Sequence, residues 1–187
     1  MNVLILSSAS EKIDPYYCSI ARSISNYLAK LGYNLVFGAS STSMMGICYD
    51  EFKNQGREIY AFTTEKYQDD LKNLDYAYHY INETTFDMKK NMFEHSDLIV
   101  VLPGGIGTLS ELMSYIEENR SNDKCVPIEI YDEEKDSYFE PLLQTLQSMK
   151  RKGFITSDIN SLFTISHNKD EFMYDIDKHV YEKRRVK

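Results

Sequence analysis

Residues 103–111 read "PGGIGTLSE": three glycines, Gly104, Gly105 and Gly107, fall within four positions, and Glu111 follows on the first turn of the helix behind them. Glycines at such a turn let backbone N–H groups come close to a ligand. A helix starting there aims its positive end at the same place, an arrangement that suits a phosphate without a lysine. On the glycines alone a second reading stays open, a tight strand-to-helix connection with Thr108 as its cap. Glu111 lies one helical turn from the loop and so faces the same pocket. A carboxylate beside a bound sugar phosphate can orient water or a ribose hydroxyl and stabilise an oxocarbenium-like centre, the chemistry of glycosidic bond cleavage. The stretch is not a Walker A loop, since no Gly-Lys-Ser/Thr follows at the right spacing. It also misses the dinucleotide pattern Gly-x-Gly-x-x-Gly.

Two further junctions share this small-residue character, Ser7 to Ser10 and Gly38 to Gly46. Each must be held at the end of a strand for the three to meet. Apolar runs at 2–7, 34–37, 58–63, 97–102, 126–131 and 162–166 read as strands. Helical spacing runs from Pro15 to Gly32, up to about Asn54, over 85–96, from Thr108 to about Asn119, from Tyr138 to about Lys152, and from about Asp170 onward. The polar segment from Thr64 to about Thr84 has no clear period, though "YAYHYI" can add a short strand. Near-continuous apolar strands alternating with helices predict an α/β domain: a three-layer, Rossmann-like parallel sheet with helices on both faces, spanning 1–187 as a single domain. In such a fold the ligand sits at the carboxyl ends of the strands, where the three junctions converge.

With 187 residues, 42% apolar and 27% charged, the chain can bury a core of ordinary size. The net charge of −8 argues against a nucleic-acid backbone as the main partner, because tracking phosphates needs a basic excess. Cys18, Cys48 and Cys125 are odd in number and far apart, so neither a disulfide framework nor a zinc site is expected, and a cytoplasmic setting is the natural one. "MNVLILSS" is too short an apolar run for a signal segment, and no stretch reaches the roughly 18 consecutive apolar residues of a membrane span. The tail "YEKRRVK" reads as a solvated helix end. His79, His95, His167 and His179 are scattered and read as surface or packed residues, and Cys48 as a small packing residue. No metal or cofactor is called for.

"PGGIGTLSE" resembles the Pro-Gly-Gly-x-Gly-Thr-x-x-Glu signature of the Lonely guy (LOG) family, whose members are often labelled lysine decarboxylases. The likeness runs along nearly the whole chain: "SSAS", "LVFGASSTSMMG", "KKNMFEHSDLIVVLPGG", "DKCVP" and "KGFIT" follow in the family's order. The resemblance implies an enzyme that cleaves N6-substituted adenosine 5′-monophosphates to the free cytokinin-type base and ribose 5-phosphate, as a homodimer with the signature helix near the subunit contact. It makes Glu111 the acting carboxylate. Ser8, Gly38, Ser40, Gly46, Gly104, Gly105, Ile106, Gly107 and Thr108 become the phosphate and ribose contacts.

Two departures bear on that function. The family's glutamate works with an arginine of an Arg-Lys pair in the preceding helix, and aligned without gaps that arginine falls on Met88 and its lysine on Lys89. Methionine cannot hold a carboxylate or phosphate through charge-assisted bonds. Lys89 or Lys90 is the expected partial replacement, with Arg120, further along the signature helix, a weaker candidate. The second junction carries Gly38-Ala39-Ser40 and Ser43-Met44-Met45-Gly46 where the family has a Gly-Gly-Gly-like stretch and Gly-Leu-Met-Gly. The expected activity is therefore a nucleoside 5′-monophosphate phosphoribohydrolase, and the alternative is a module that binds or senses a nucleotide without cutting it. Literal lysine decarboxylation would need a pyridoxal phosphate lysine and its pocket, and no such constellation is present.

Overall fold

The computed structural model describes residues 1–121 and 124–185, with the backbone alone beyond Tyr181, so most of the tail "YEKRRVK" lies outside the described side chains. The chain forms two compact units, Met1–Pro127 and Ile128–Lys187.

In the first unit, β1 (Asn2–Leu6), α1 (Pro15–Lys30), β2 (Asn34–Gly38), α2 (Ser43–Asn54), β3 (Ile59–Thr64), β4 (Tyr78–Asn82), α3 (Thr85–Glu94), β5 (Leu98–Val101) and α4 (Ile106–Ser121) follow in order. The strands pair in parallel in the order β4-β3-β2-β1-β5. From β1 the chain steps outward through β2 and β3 to β4, then returns through α3 to the other side of β1. The connections after β1 and β5 therefore part at the β1/β5 boundary, which is where open parallel sheets place their ligands. With right-handed crossovers, the outward and returning helices cover opposite faces.

The strands are continuous apolar runs because both faces are covered. Val3, Leu4, Ile5 and Leu6 of β1 and Leu98 to Val101 of β5 are all at most 1% exposed. Each such side chain contributes roughly 1.5–3 kcal/mol through burial. The register sets Leu6 opposite Val101 and Gly38 opposite Phe62, so the strands end side by side and their loops leave at one level. Gly32 ends α1 at φ +92°, and Gly153 follows the later helix Glu140–Arg151 at φ +82°. Both sit in the left-handed region that a helix-terminating glycine adopts readily.

The stretch without a clear period holds a 3₁₀ helix, Glu65–Asn73, ahead of β4. α4 begins at Ile106, two residues before the start read from the sequence. Thr108 therefore lies inside its first turn and is not its cap.

The second unit carries β6 (Ile128–Tyr131), α5 (Glu140–Arg151), β7 (Thr164–Ser166) and α6 (Lys169–Arg185), with β6 and β7 paired in parallel. Among the described residues no helix is long and apolar enough to cross a membrane.

Candidate functional site

Hydrogen bonds tie the three strand-to-helix junctions to one another. The Thr108 hydroxyl donates to the Ser7 carbonyl at 3.2 Å, the Thr42 hydroxyl to the Ala9 carbonyl at 2.8 Å, and the Met45 amide to the Ser8 carbonyl at 3.3 Å. The loop after β1 is thus clamped between the starts of α2 and α4.

Within this framework the small residues divide by what they face. A side chain at Gly104 would stand 2.2 Å from Thr108 Oγ1, and one at Gly46 would stand 2.3 Å from the Ser41 carbonyl oxygen. Both glycines answer to the protein's own packing. The Gly46 amide is also taken, donating to the Thr42 carbonyl at 3.0 Å. Gly38, Gly105 and Gly107 have open space where a Cβ would be, and Gly105 and Gly107 are exposed with Ile106 between them, itself 88% exposed. The amides of Ile106, Gly107 and Thr108 belong to the first turn of α4, where the helix supplies no acceptor. This is the part of the cradle that faces outward.

The remaining predicted contacts are used internally. The Ser40 hydroxyl lies 3.1 Å from that of Thr42 and accepts from the Thr42 amide at 3.3 Å, and Ser8 Oγ accepts from the Ser10 amide at 3.1 Å. Ser43 opens α2 at φ +52°, a conformation uncommon for a residue with a side chain. The Ser7–Ser10 junction differs from the other two. It continues as a loop to Pro15, and the N-terminus of α1 is capped by Asp14, whose carboxylate accepts from the Tyr16 amide at 2.8 Å. An acidic cap makes that helix end a poor place for a phosphate.

Glu111 is half-buried on α4, and its carboxylate accepts no hydrogen bond from a described residue. Loss of hydration pushes its pKa up to about 7, and the nearby Lys89 ammonium pulls it the other way. Lys89 projects from α3 and donates to the Ser110 hydroxyl at 2.7 Å. Lys90 points elsewhere: it is exposed and lies 4.0 Å from Glu94. Arg120 is held by Glu117 at 2.8 Å near the far end of α4, and so drops out as a partner for Glu111. Met88 is half-buried on α3.

Sequence reading does not single out Ser110 or Tyr115, and takes Ser7 only as the start of the first junction. Ser110 anchors Lys89, Ser7 anchors Thr108, and Tyr115 lies one turn beyond Glu111. The spacing of Tyr115 from Glu111 was the available signal, but an aromatic on a helix ordinarily reads as core.

The other candidates are surface or packing residues: His79 and His167 are exposed, His95 is half-buried and Cys48 is buried. Burial pushes the Cys48 thiol up to about 11, against weaker opposing effects of the Ser25 and Ser7 hydroxyls, so it is no nucleophile. His79 Nε2 and His95 Nδ1 each lie 2.8 Å from a backbone carbonyl, and His167 Nδ1 lies 3.1 Å from the Asp132 carbonyl. Among the described residues no group of three or more His, Cys, Asp and Glu gathers as a metal site.

Residues 45–176 match the model of a family described as "Possible lysine decarboxylase". Similar proteins include the cytokinin riboside 5′-monophosphate phosphoribohydrolase LOG1 of Arabidopsis thaliana, 25% identical over 96% of this chain and 83% of the relative. The probable phosphoribohydrolase of the same name, LOG4 from Oryza sativa subsp. japonica, is 22% identical over 85% of this chain and 69% of the relative. Among solved structures, the molybdenum cofactor carrier protein of Chlamydomonas reinhardtii has a similar fold, with TM-score 0.69 at 11% identity over 96% of this chain and 97% of that one. DNA processing protein A from Helicobacter pylori has TM-score 0.60 at 12% identity, covering 95% and 80%. At these identities the two structures speak for the Rossmann-like α/β fold.

Proposed function

The chain belongs to the Lonely guy (LOG) family, whose model carries the lysine decarboxylase description, and from that premise we propose that it hydrolyses the N-glycosidic bond of adenosine 5′-monophosphates, N6-substituted ones included, releasing the base and ribose 5-phosphate. The observation that carries this reading is Glu111: a half-buried carboxylate with no hydrogen-bond donor among the described residues, one turn behind a glycine cradle whose outward amides can hold a phosphate. In the proposed reaction the first-turn amides of α4, with Gly105 and Gly107 leaving room, hold the 5′-phosphate. The phosphate and the helix dipole offset each other's charge without a lysine. Glu111, titrating near neutrality, takes a proton from the ribose or water side as positive charge develops at the anomeric carbon. Lys89, fixed on Ser110, keeps part of the carboxylate population ionised and replaces in part the arginine position occupied by Met88.

Met88 also favours a second reading, a nucleotide-binding module that has lost turnover. The two separate in one assay. Purified protein is incubated with AMP and with N6-isopentenyl-AMP, and base release is followed alongside binding. Base release that falls by about 10²- to 10⁴-fold in Glu111→Ala supports the hydrolase; binding with no release at all supports the module. A homodimer, a cytoplasmic setting and a role in cytokinin biosynthesis go with the hydrolase reading as further proposals.

A further inference from the structure

Tyr115 is 1% exposed, and its hydroxyl is buried without a hydrogen-bond partner among the described residues. A phenol taken out of water ordinarily finds an acceptor, because leaving the group unpaired costs stability. Its ring stacks on Phe93 of α3, with centroids 5.7 Å apart at 21°. It therefore stands between the helix that carries Glu111 and the helix that carries Met88 and Lys89. On α4, Tyr115 is four residues after Glu111, so the two share a face. Helical side chains lean toward the N-terminus, and residue 115 thus covers the turn that Glu111 occupies. Among the described residues, the carboxylate one turn ahead accepts from none and the phenol one turn behind donates to none. Across the gap the family's arginine position holds a thioether.

We propose that Tyr115 is a positioning residue for Glu111, its hydroxyl swinging to donate to the carboxylate once that group is ionised, and so supplying from the same helix an orienting bond that Met88 cannot make from α3. Glu111 is then held between two groups of different kind, the Lys89 ammonium from α3 and the Tyr115 phenol from α4. Lys90, turned toward Glu94, takes no part. For its consequence in turnover the inference rests on the hydrolase reading. Its test does not.

The Glu111 carboxyl is titrated by ¹³C NMR in protein without substrate, for the parent chain and for Tyr115→Phe, with Glu111→Gln assigning the signal. Loss of a donor to the ionised form is expected to raise the Glu111 midpoint by about one pH unit. A midpoint that stays put overturns the inference, and a higher Tm of Tyr115→Phe in that case would identify the hydroxyl as a plain buried orphan. If no nucleotide is hydrolysed and the midpoint still moves, the hydrolase reading falls and the Tyr115–Glu111 pairing stands. If hydrolysis occurs and the midpoint is unmoved, the reverse holds.

Discussion

The Lys89 ammonium on α3 donates to the Ser110 hydroxyl on α4 at 2.7 Å, immediately beside Glu111. That bond fixes a positive charge where it stabilises the ionised carboxylate, opposing the desolvation that raises its pKa to about 7. Lys89→Met removes the charge and leaves desolvation unopposed. The Glu111 midpoint is then expected to rise by about half to one pH unit, read by carboxyl NMR, and the ionised fraction at neutral pH falls accordingly. Lys90→Met, at an exposed position facing Glu94, is expected to leave the midpoint in place.

Gly104 and Thr108 occupy each other's space. A Cβ at 104 would meet Thr108 Oγ1 at 2.2 Å and Thr108 Cβ at 2.8 Å, in a region with no slack. Gly104→Ala is expected to destabilise the protein by about 1–3 kcal/mol in urea unfolding. Thr108→Ala, which also loses the bond to the Ser7 carbonyl, costs about 1–3 kcal/mol by itself. The double variant should be less destabilised than the sum, by a coupling of roughly 0.5–3 kcal/mol, because the second change removes one of the crowding atoms. Strict additivity would contradict the packing role given to Gly104.

Met88→Arg places a guanidinium on α3 at the position where family members have one. If Glu111 acts on the nucleotide with only Lys89 and Tyr115 to assist it, the added fork should raise kcat on AMP by on the order of tenfold. An unchanged kcat would mean that α3 in this chain no longer presents position 88 to the substrate.

The second unit has its own pH response. Glu129 on β6 is fully buried, accepts a hydrogen bond from the Ser166 hydroxyl, and faces Asp175 of α6. Burial, with a smaller contribution from Asp175, pushes its pKa up to about 8 from an ordinary 4.5. The folded chain then holds a proton that the unfolded chain releases. Stability from the neutral form is whole below about pH 4.5 and is lost progressively as pH rises through about 8. Glu129→Gln keeps the shape and cannot ionise, so its Tm should exceed that of the parent at pH 9 and match it closely at pH 5. Thermal unfolding across that range checks the sign.

Much of this is legible in the sequence. The helix stops at Gly32 and Gly153 were readable because a helix end needs a residue that tolerates positive φ. The β1 and β5 runs were readable because strands covered on both faces have no polar alternation. The segment 64–84 was not, since a 3₁₀ helix of mostly exposed residues has neither a repeating apolar face nor a cap motif to mark it. The start of α4 was misplaced by two residues because Thr108 is a good cap by type, while its hydroxyl is in fact drawn inward to Ser7.

By itself the sequence determined the alternation of strand and helix, the glycine turn with its glutamate, and the methionine at position 88. All three are matters of residue type and spacing along the chain. Only the tertiary structure decided which glycines are crowded by the protein's own atoms and which have open space, that Lys89 reaches Ser110 while Lys90 turns away, and that Tyr115, one turn from Glu111, is buried with no acceptor among the described residues. Those outcomes depend on which atoms from distant segments occupy the same few ångströms, and that distance appears only once β1, α3 and α4 are packed together.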